Sequence, residues 1–232
     1  MKATGFALAV ATCLGATAFV IADDVAEQER DVGAFERIKV KGSMDVSVSV
    51  GNERSVKVIA DSDVIDHVRT DVTDGELVIG LKDKGHHWSR IDRLQVVVSV
   101  PKLTAANLTG SGDLTIDDIA AETFDLVLKG SGDAIIEDAD VVTMRTRLQG
   151  SGDIELAGSC KTLSVTLQGS GDVEAEDFKC EIAQIELRGS GDVEAYASET
   201  ADVEIRGSGD VYVRGNPSMN SRVRGSGEVH AR

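Results

Sequence analysis

The chain has 232 residues, with 24 Lys and Arg against 40 Asp and Glu, a formal net charge of −16. Such an excess of carboxylates repels phosphate backbones and anionic lipid, which argues against nucleic-acid binding and polybasic membrane docking. Hydrophobic residues make up 41% but aromatics only 3%, with 24 Gly and 2 Pro, so the core must come from Val, Ile, Leu and Ala. That composition favours β-structure in thin, regular layers.

Met1 and Lys2 precede an apolar run from Ala3 to Ala22, and Asp23-Asp24 then open an acidic stretch. The pattern predicts a secretory signal peptide over residues 1–22, cleaved after Ala22 with Ala18 as the alternative. Such a signal implies export to the periplasm, the outer envelope or the medium. The competing readings are a retained membrane anchor and lipidation at Cys13, where Thr12 replaces the usual small residue. Residues 23–33 form a short acidic segment. Beyond the signal only Cys160 and Cys180 remain. Two cysteines in an oxidising compartment predict one disulfide, the alternative being two small buried thiols facing the core.

Residues 34–103 read as strands without a strict period: Ile38 and Val40, Val46 to Val50, Val56 to Val58, Leu77 to Ile79, and Leu94 to Val100. Loops at Asp61 to Asp66 and Lys82 to Asp92 interrupt them. No linker rich in Pro, Gly or Ser separates this stretch from residues 104–232, so it is expected to supply irregular first coils that cap the same domain, spanning 34–232.

From residue 104 a tetrapeptide sets the architecture. Gly-Ser-Gly-Asp starts at Gly110, Gly130, Gly150, Gly169, Gly189 and Gly207, and Gly-Ser-Gly-Glu at Gly225, at spacings of 20, 20, 19, 20, 18 and 18. Gly42-Ser43-Met44-Asp45 is a degenerate eighth copy. A fixed period near 20 with a short tag marks a solenoid. The second residue before each tag is Leu108, Leu128, Leu148, Leu167, Leu187, Ile205 or Val223, and the column just after each tag runs from Leu114 to Val229. Apolar and polar residues alternate on both sides, so each coil is strand, glycine-relieved bend and strand, returning through a looser segment such as Asp117 to Glu122. The fold class is therefore all-β: a single-domain parallel β-helix of about 20 residues per coil, right-handed by the crossover preference. Cys160 and Cys180 each lie nine residues before a tag, hence in one column on adjacent coils.

An exported chain with Phe35-Glu36-Arg37-Ile38-Lys39-Val40, then Gly75-Glu76-Leu77-Val78-Ile79, then Val96 to Leu103 and repeated Gly-Ser-Gly-Asp resembles the bacterial head GIN domain family of auto-transporter adhesins. The resemblance covers residues 34–232 and implies a β-helical fold in an envelope or surface setting. An auto-transporter carries a membrane barrel after its passenger, whereas this sequence ends at Arg232, so self-driven display is not expected.

The chemistry-bearing constellation is the acidic ladder Asp113, Asp133, Asp153, Asp172, Asp192, Asp210 and Glu228. Stacked carboxylates repel unless cations or donors intervene, so one reading is a row of calcium sites. The other has each carboxylate accepting hydrogen bonds at the bend, with the column Lys129, Gln149, Gln168, Arg188, Arg206 and Arg224 balancing charge. No single coil breaks the repeated pattern as a grafted catalytic site would, sugar-stacking aromatics are scarce, and His86-His87-Trp88 reads as an exposed loop. No catalytic or cofactor-binding residue is assigned. The expected function is a non-enzymatic exported scaffold or adhesin for an extended polymer or protein; self-association through the Val229 and Ala231 edge is a further expected contact. A calcium-dependent structural or polysaccharide-binding module is the alternative, and a glycan-active enzyme the third reading.

Overall fold

The computed structural model describes residues 25–82 and 91–231; the expected signal segment and the His86-His87-Trp88 stretch lie outside the described residues. Strands account for 71% of the described residues, wound into a β-solenoid of about 6 turns with about 20 residues per turn, as the tag spacing predicts. Among the described residues the only helical element is a 3-10 turn, Ile65–His67.

Each coil of the repeat region contributes three ladder segments. The leading face enters the tag; it comprises Arg37–Gly42, Ala105–Gly110 and the later parts of Ile119–Gly130, Ala139–Gly150, Ile154–Gly169, Val173–Gly189 and Val193–Gly207. The trailing face leaves the tag through Asp45–Val50, Leu114–Ile116, Ala134–Ile136 and the starts of the next long strands. The third segment corrects the expectation of a looser return over 117–122. Ile119, Ala120 and Ala121 pair in parallel with Ala139, Asp140 and Val141, and the inward Ile119 and Ala139 are fully buried. Three residues are too few to show a period, so only the neighbouring coil reveals them as strand.

The coils do not stack in chain order at the N-terminal end. Arg37–Gly42 lies between Glu76–Leu81 on one side and Ala105–Gly110 on the other, in parallel with both. Asp45–Val50 likewise lies between Leu94–Val100 and Leu114–Ile116. Residues 76–100 thus form the coil outside the one made by 37–50. Against that outer coil run antiparallel strands: Val68–Thr73 on Glu76–Leu81, and Ser55–Asp61 on Leu94–Val100. Val25–Glu29 then covers Ser55–Asp61. Antiparallel cover suits this end because it pairs backbone groups that a terminal parallel strand would leave open to another chain.

Inward positions form continuous apolar columns. Leu108, Leu128, Leu148, Leu167, Leu187 and Ile205 stand in register on successive coils, all fully buried. Each such side chain contributes about 1.5–3 kcal/mol over an exposed one. A second column narrows from Phe124 through Met144 and Leu163 to Ala183 and Ala201, and Phe178, also fully buried, supplies bulk in the coil where Ala183 stands. Volume is conserved by moving an aromatic one segment earlier rather than by repeating it.

Candidate functional site: charged ladders at the bend

The tag places four residue types with different demands. Ser N–H groups donate to the first glycine's carbonyl on the previous coil, for example Ser131 to Gly110 at 3.0 Å and Ser151 to Gly130 at 2.9 Å. The first glycine has a positive φ, +143° at Gly150. Both glycines are also required by stacking: a Cβ on Gly150 would lie 1.9 Å from the carbonyl oxygen of Gly130, and one on Gly152 1.9 Å from that of Gly132. The missing side chain serves the coil stacked beneath, not only the tightness of the bend. Gly42-Ser43-Met44-Asp45 joins the same stack, since Gly42 pairs with Gly110 and the Ser43 and Ser111 hydroxyls lie 3.1 Å apart.

The carboxylates form one continuous ladder. The backbone N–H of each tag acid donates to the Oδ1 of the aspartate one coil before it: Asp133 to Asp113 at 3.0 Å, Asp153 to Asp133 at 2.9 Å, Asp172 to Asp153 at 2.8 Å. The series continues through Asp192, Asp210 and Glu228 at 2.7, 2.7 and 2.8 Å, and begins with Asp113 on Asp45 at 3.1 Å. An ionised acceptor makes these bonds stronger than neutral ones. Among the described residues no group of three or more His, Cys, Asp or Glu is placed to hold a metal ion.

This geometry makes the ladder testable as a hydrogen-bond device. Asp153→Ala leaves the Asp172 amide without its acceptor and should cost about 1–2 kcal/mol in a urea titration. Asp153→Asn keeps a carbonyl acceptor and should lose less than half as much, with neither variant responding to a chelator. Equal losses in the two variants, abolished by chelator, would favour the cation reading.

The cationic column beside the tag does not neutralise the aspartates. Arg188 donates to Glu186 at 3.0 Å and Arg206 to Glu204 at 2.8 Å, both on the leading face, and Arg224 lies 3.9 Å from Glu204. Gln149 donates to Gln168 at 3.3 Å. The Arg206 guanidinium, hydrogen-bonded to Glu204, holds that carboxyl below the usual glutamate range; desolvation opposes this, and the charges of Arg206, Arg224 and Arg222 add to the downward pull. Arg145, Arg147 and Arg222 are outward cations on this face that sequence columns alone did not single out.

Charge is therefore sorted across the bend. The column nearest the tag on the leading face runs in register as Lys41, Thr109, Lys129, Gln149, Gln168, Arg188, Arg206 and Arg224, without a carboxylate. Its two neighbouring columns are balanced, with Arg37, Lys39, Arg145, Arg147 and Arg222 against Glu76, Asp125, Glu186, Asp202 and Glu204. On the trailing side the aspartate ladder is flanked by Glu155, Glu174 and Glu194 in one column. A shallow open groove of about 440 Å³ crosses the leading face at Thr166, Gln184, Glu204 and Arg222.

Cys160 and Cys180 occupy paired register positions on adjacent coils, with Cα atoms 4.5 Å apart and the sulfurs joined. Both are buried, at 8% and 2% exposure. No helix among the described residues is long and apolar enough to cross a membrane.

Several solved structures share this architecture. A "putative adhesin" from Bacteroides fragilis superposes with a TM-score of 0.86 at 19% identity, covering 90% of this chain and 97% of that one. A "putative lipid binding protein" from Parabacteroides distasonis gives 0.76 at 23% identity, with 91% and 98% coverage. A "putative adhesin" from Parabacteroides merdae gives 0.72 at 16% identity, with 91% and 97% coverage. At these identities the likeness concerns the fold. No curated protein matches the sequence. Residues 34–217 match the family described as "Putative auto-transporter adhesin, head GIN domain", and because that match takes in most of the chain, the protein belongs to this family.

Proposed function

We propose that the protein is an exported, non-enzymatic adhesin of the bacterial envelope, using its flat ladders to hold an extended surface partner. The observation that carries this reading is the continuity of the outward columns: among the described residues outward positions stack in register coil after coil, and the tag aspartates recur in one line. Repeated columns suit a partner that runs along the solenoid axis. The signal-like segment 1–22 and the paired cysteines support export into an oxidising compartment.

The test is saturable binding of the purified mature chain to envelope fragments of the producing bacterium, compared with the same chain after heat unfolding. Binding that saturates and disappears on unfolding supports the adhesin reading; binding equal for folded and unfolded chain overturns it. Release of new reducing ends from envelope glycans during the incubation would overturn the non-enzymatic part.

A further inference from the structure

We infer that the leading face is a docking surface for a linear, carboxylate-bearing polysaccharide, laid along the column from Lys41 to Arg224. This inference rests on the adhesin reading and specifies its partner.

The first support is an electrostatic arrangement that the fold does not require. Arg188, Arg206 and Arg224 stand directly in register on three successive coils, about one strand spacing of ~4.8 Å apart. Like charges opposite one another destabilise a ladder, and a chain carrying 40 acidic residues had carboxylates available for those positions. Glu186 and Glu204 relieve the repulsion only in part, since Glu204 is shared between Arg206 and Arg224. The guanidiniums stay substantially open to solvent, at 43%, 42% and 63% side-chain exposure. An anionic ligand offsets the residual repulsion.

The second support is chemical. In-register stacking sets one outward position per coil along a straight line, so a polymer whose charges recur at regular intervals meets several cations at once. Between Lys129 and Arg188 the line carries Gln149 and Gln168, whose amides both donate and accept and so match sugar hydroxyls. Outward aromatics that would stack on nucleobases are missing from these columns, and Val78, Ala105 and Val127 are the apolar residues among them, too little surface to enter a lipid bilayer. The aspartate ladder across the bend repels the same polymer and confines it to one face. Screening over about 8 Å at physiological salt lets the cationic column act locally despite the net negative charge.

The test uses the mature full-length chain and polygalacturonate as probe, with its methyl-esterified form, dextran, phosphatidylglycerol vesicles and duplex DNA as comparisons, read by calorimetric titration. Polygalacturonate should bind with an affinity that falls as salt rises, and the esterified polymer and dextran should not bind. The triple variant Arg188→Gln, Arg206→Gln, Arg224→Gln should weaken binding at least about tenfold without lowering the melting temperature. A charge-matched control, Arg54→Gln, Lys57→Gln, Arg93→Gln, on the N-terminal cap should bind as wild type. Glu204→Gln, which releases Arg206 and Arg224, should tighten binding. Equal affinity for the esterified polymer, tighter binding to vesicles or DNA, or undiminished binding by the triple variant overturns the inference. Envelope binding that survives in the triple variant would overturn this face while leaving the adhesin reading standing; polygalacturonate binding without any envelope binding would do the reverse.

Discussion

Gly152→Ala should be the most damaging single substitution tested on this protein, costing more than about 3 kcal/mol and lowering the melting temperature by about 10 °C. The added Cβ would sit 1.9 Å from the Gly132 carbonyl oxygen, 2.9 Å from its carbon and 3.0 Å from the Ser131 carbon. All three are backbone atoms, so no side chain can rotate away. Relief requires the coil to part from its neighbour, which breaks the Ser151 to Gly130 bond and the aspartate ladder on either side. The comparison is Gly33→Ala, where a Cβ meets nothing within 4 Å and the change should stay within about 0.5 kcal/mol. Thermal melting of the two variants decides the matter: equal melting temperatures would refute the close stacking of the bends.

Loss of the Cys160–Cys180 link is the second large effect. The bridge closes 20 residues, one whole coil, and a loop of that size corresponds to about 3 kcal/mol of unfolded-state restraint. Both cysteines are largely buried, which slows reduction of the folded chain, so the informative comparison is between protein refolded with and without reductant. The refolded, reduced chain should unfold at clearly lower urea, while Cys160→Ala, Cys180→Ala should be insensitive to reductant. Peptide mapping without reduction should recover the two cysteines in one linked fragment. Identical urea midpoints for oxidised and reduced protein would show that the paired strands alone hold these coils together.

Much of the architecture is legible because a solenoid repeats its own environment. A leucine at Leu128 has the same neighbours as one at Leu148 or Leu167, so selection for one buried site appears as a column of like residues. Period two carries across each tag to the second glycine, buried from Gly112 to Gly227, whereas the first glycine, from Gly110 to Gly207, breaks it with a positive φ and is only half-buried. The short third segment was not legible, because Ile119 to Ala121 alternate over too few residues and become strand through hydrogen bonds to another coil. The sorting of charge was only half legible. The column through Arg188, Arg206 and Arg224 could be read off the tags, but its ion pairs with Glu186 and Glu204 depend on side-chain direction across the face.

The period, the β class, the apolar columns and the register of the tags are all written in the order of residues, since each depends on letters that recur at a set distance along one chain. Only the folded molecule shows that residues 76–100 stack outside 37–50, that antiparallel strands cover that end, and that the aspartates bond to amides of the next coil. A local pattern specifies which side chains turn inward but not on which side of a finished coil the next strand will add. Both edges of a coil offer the same row of backbone donors and acceptors, and the choice between them is made by the path of the connecting chain.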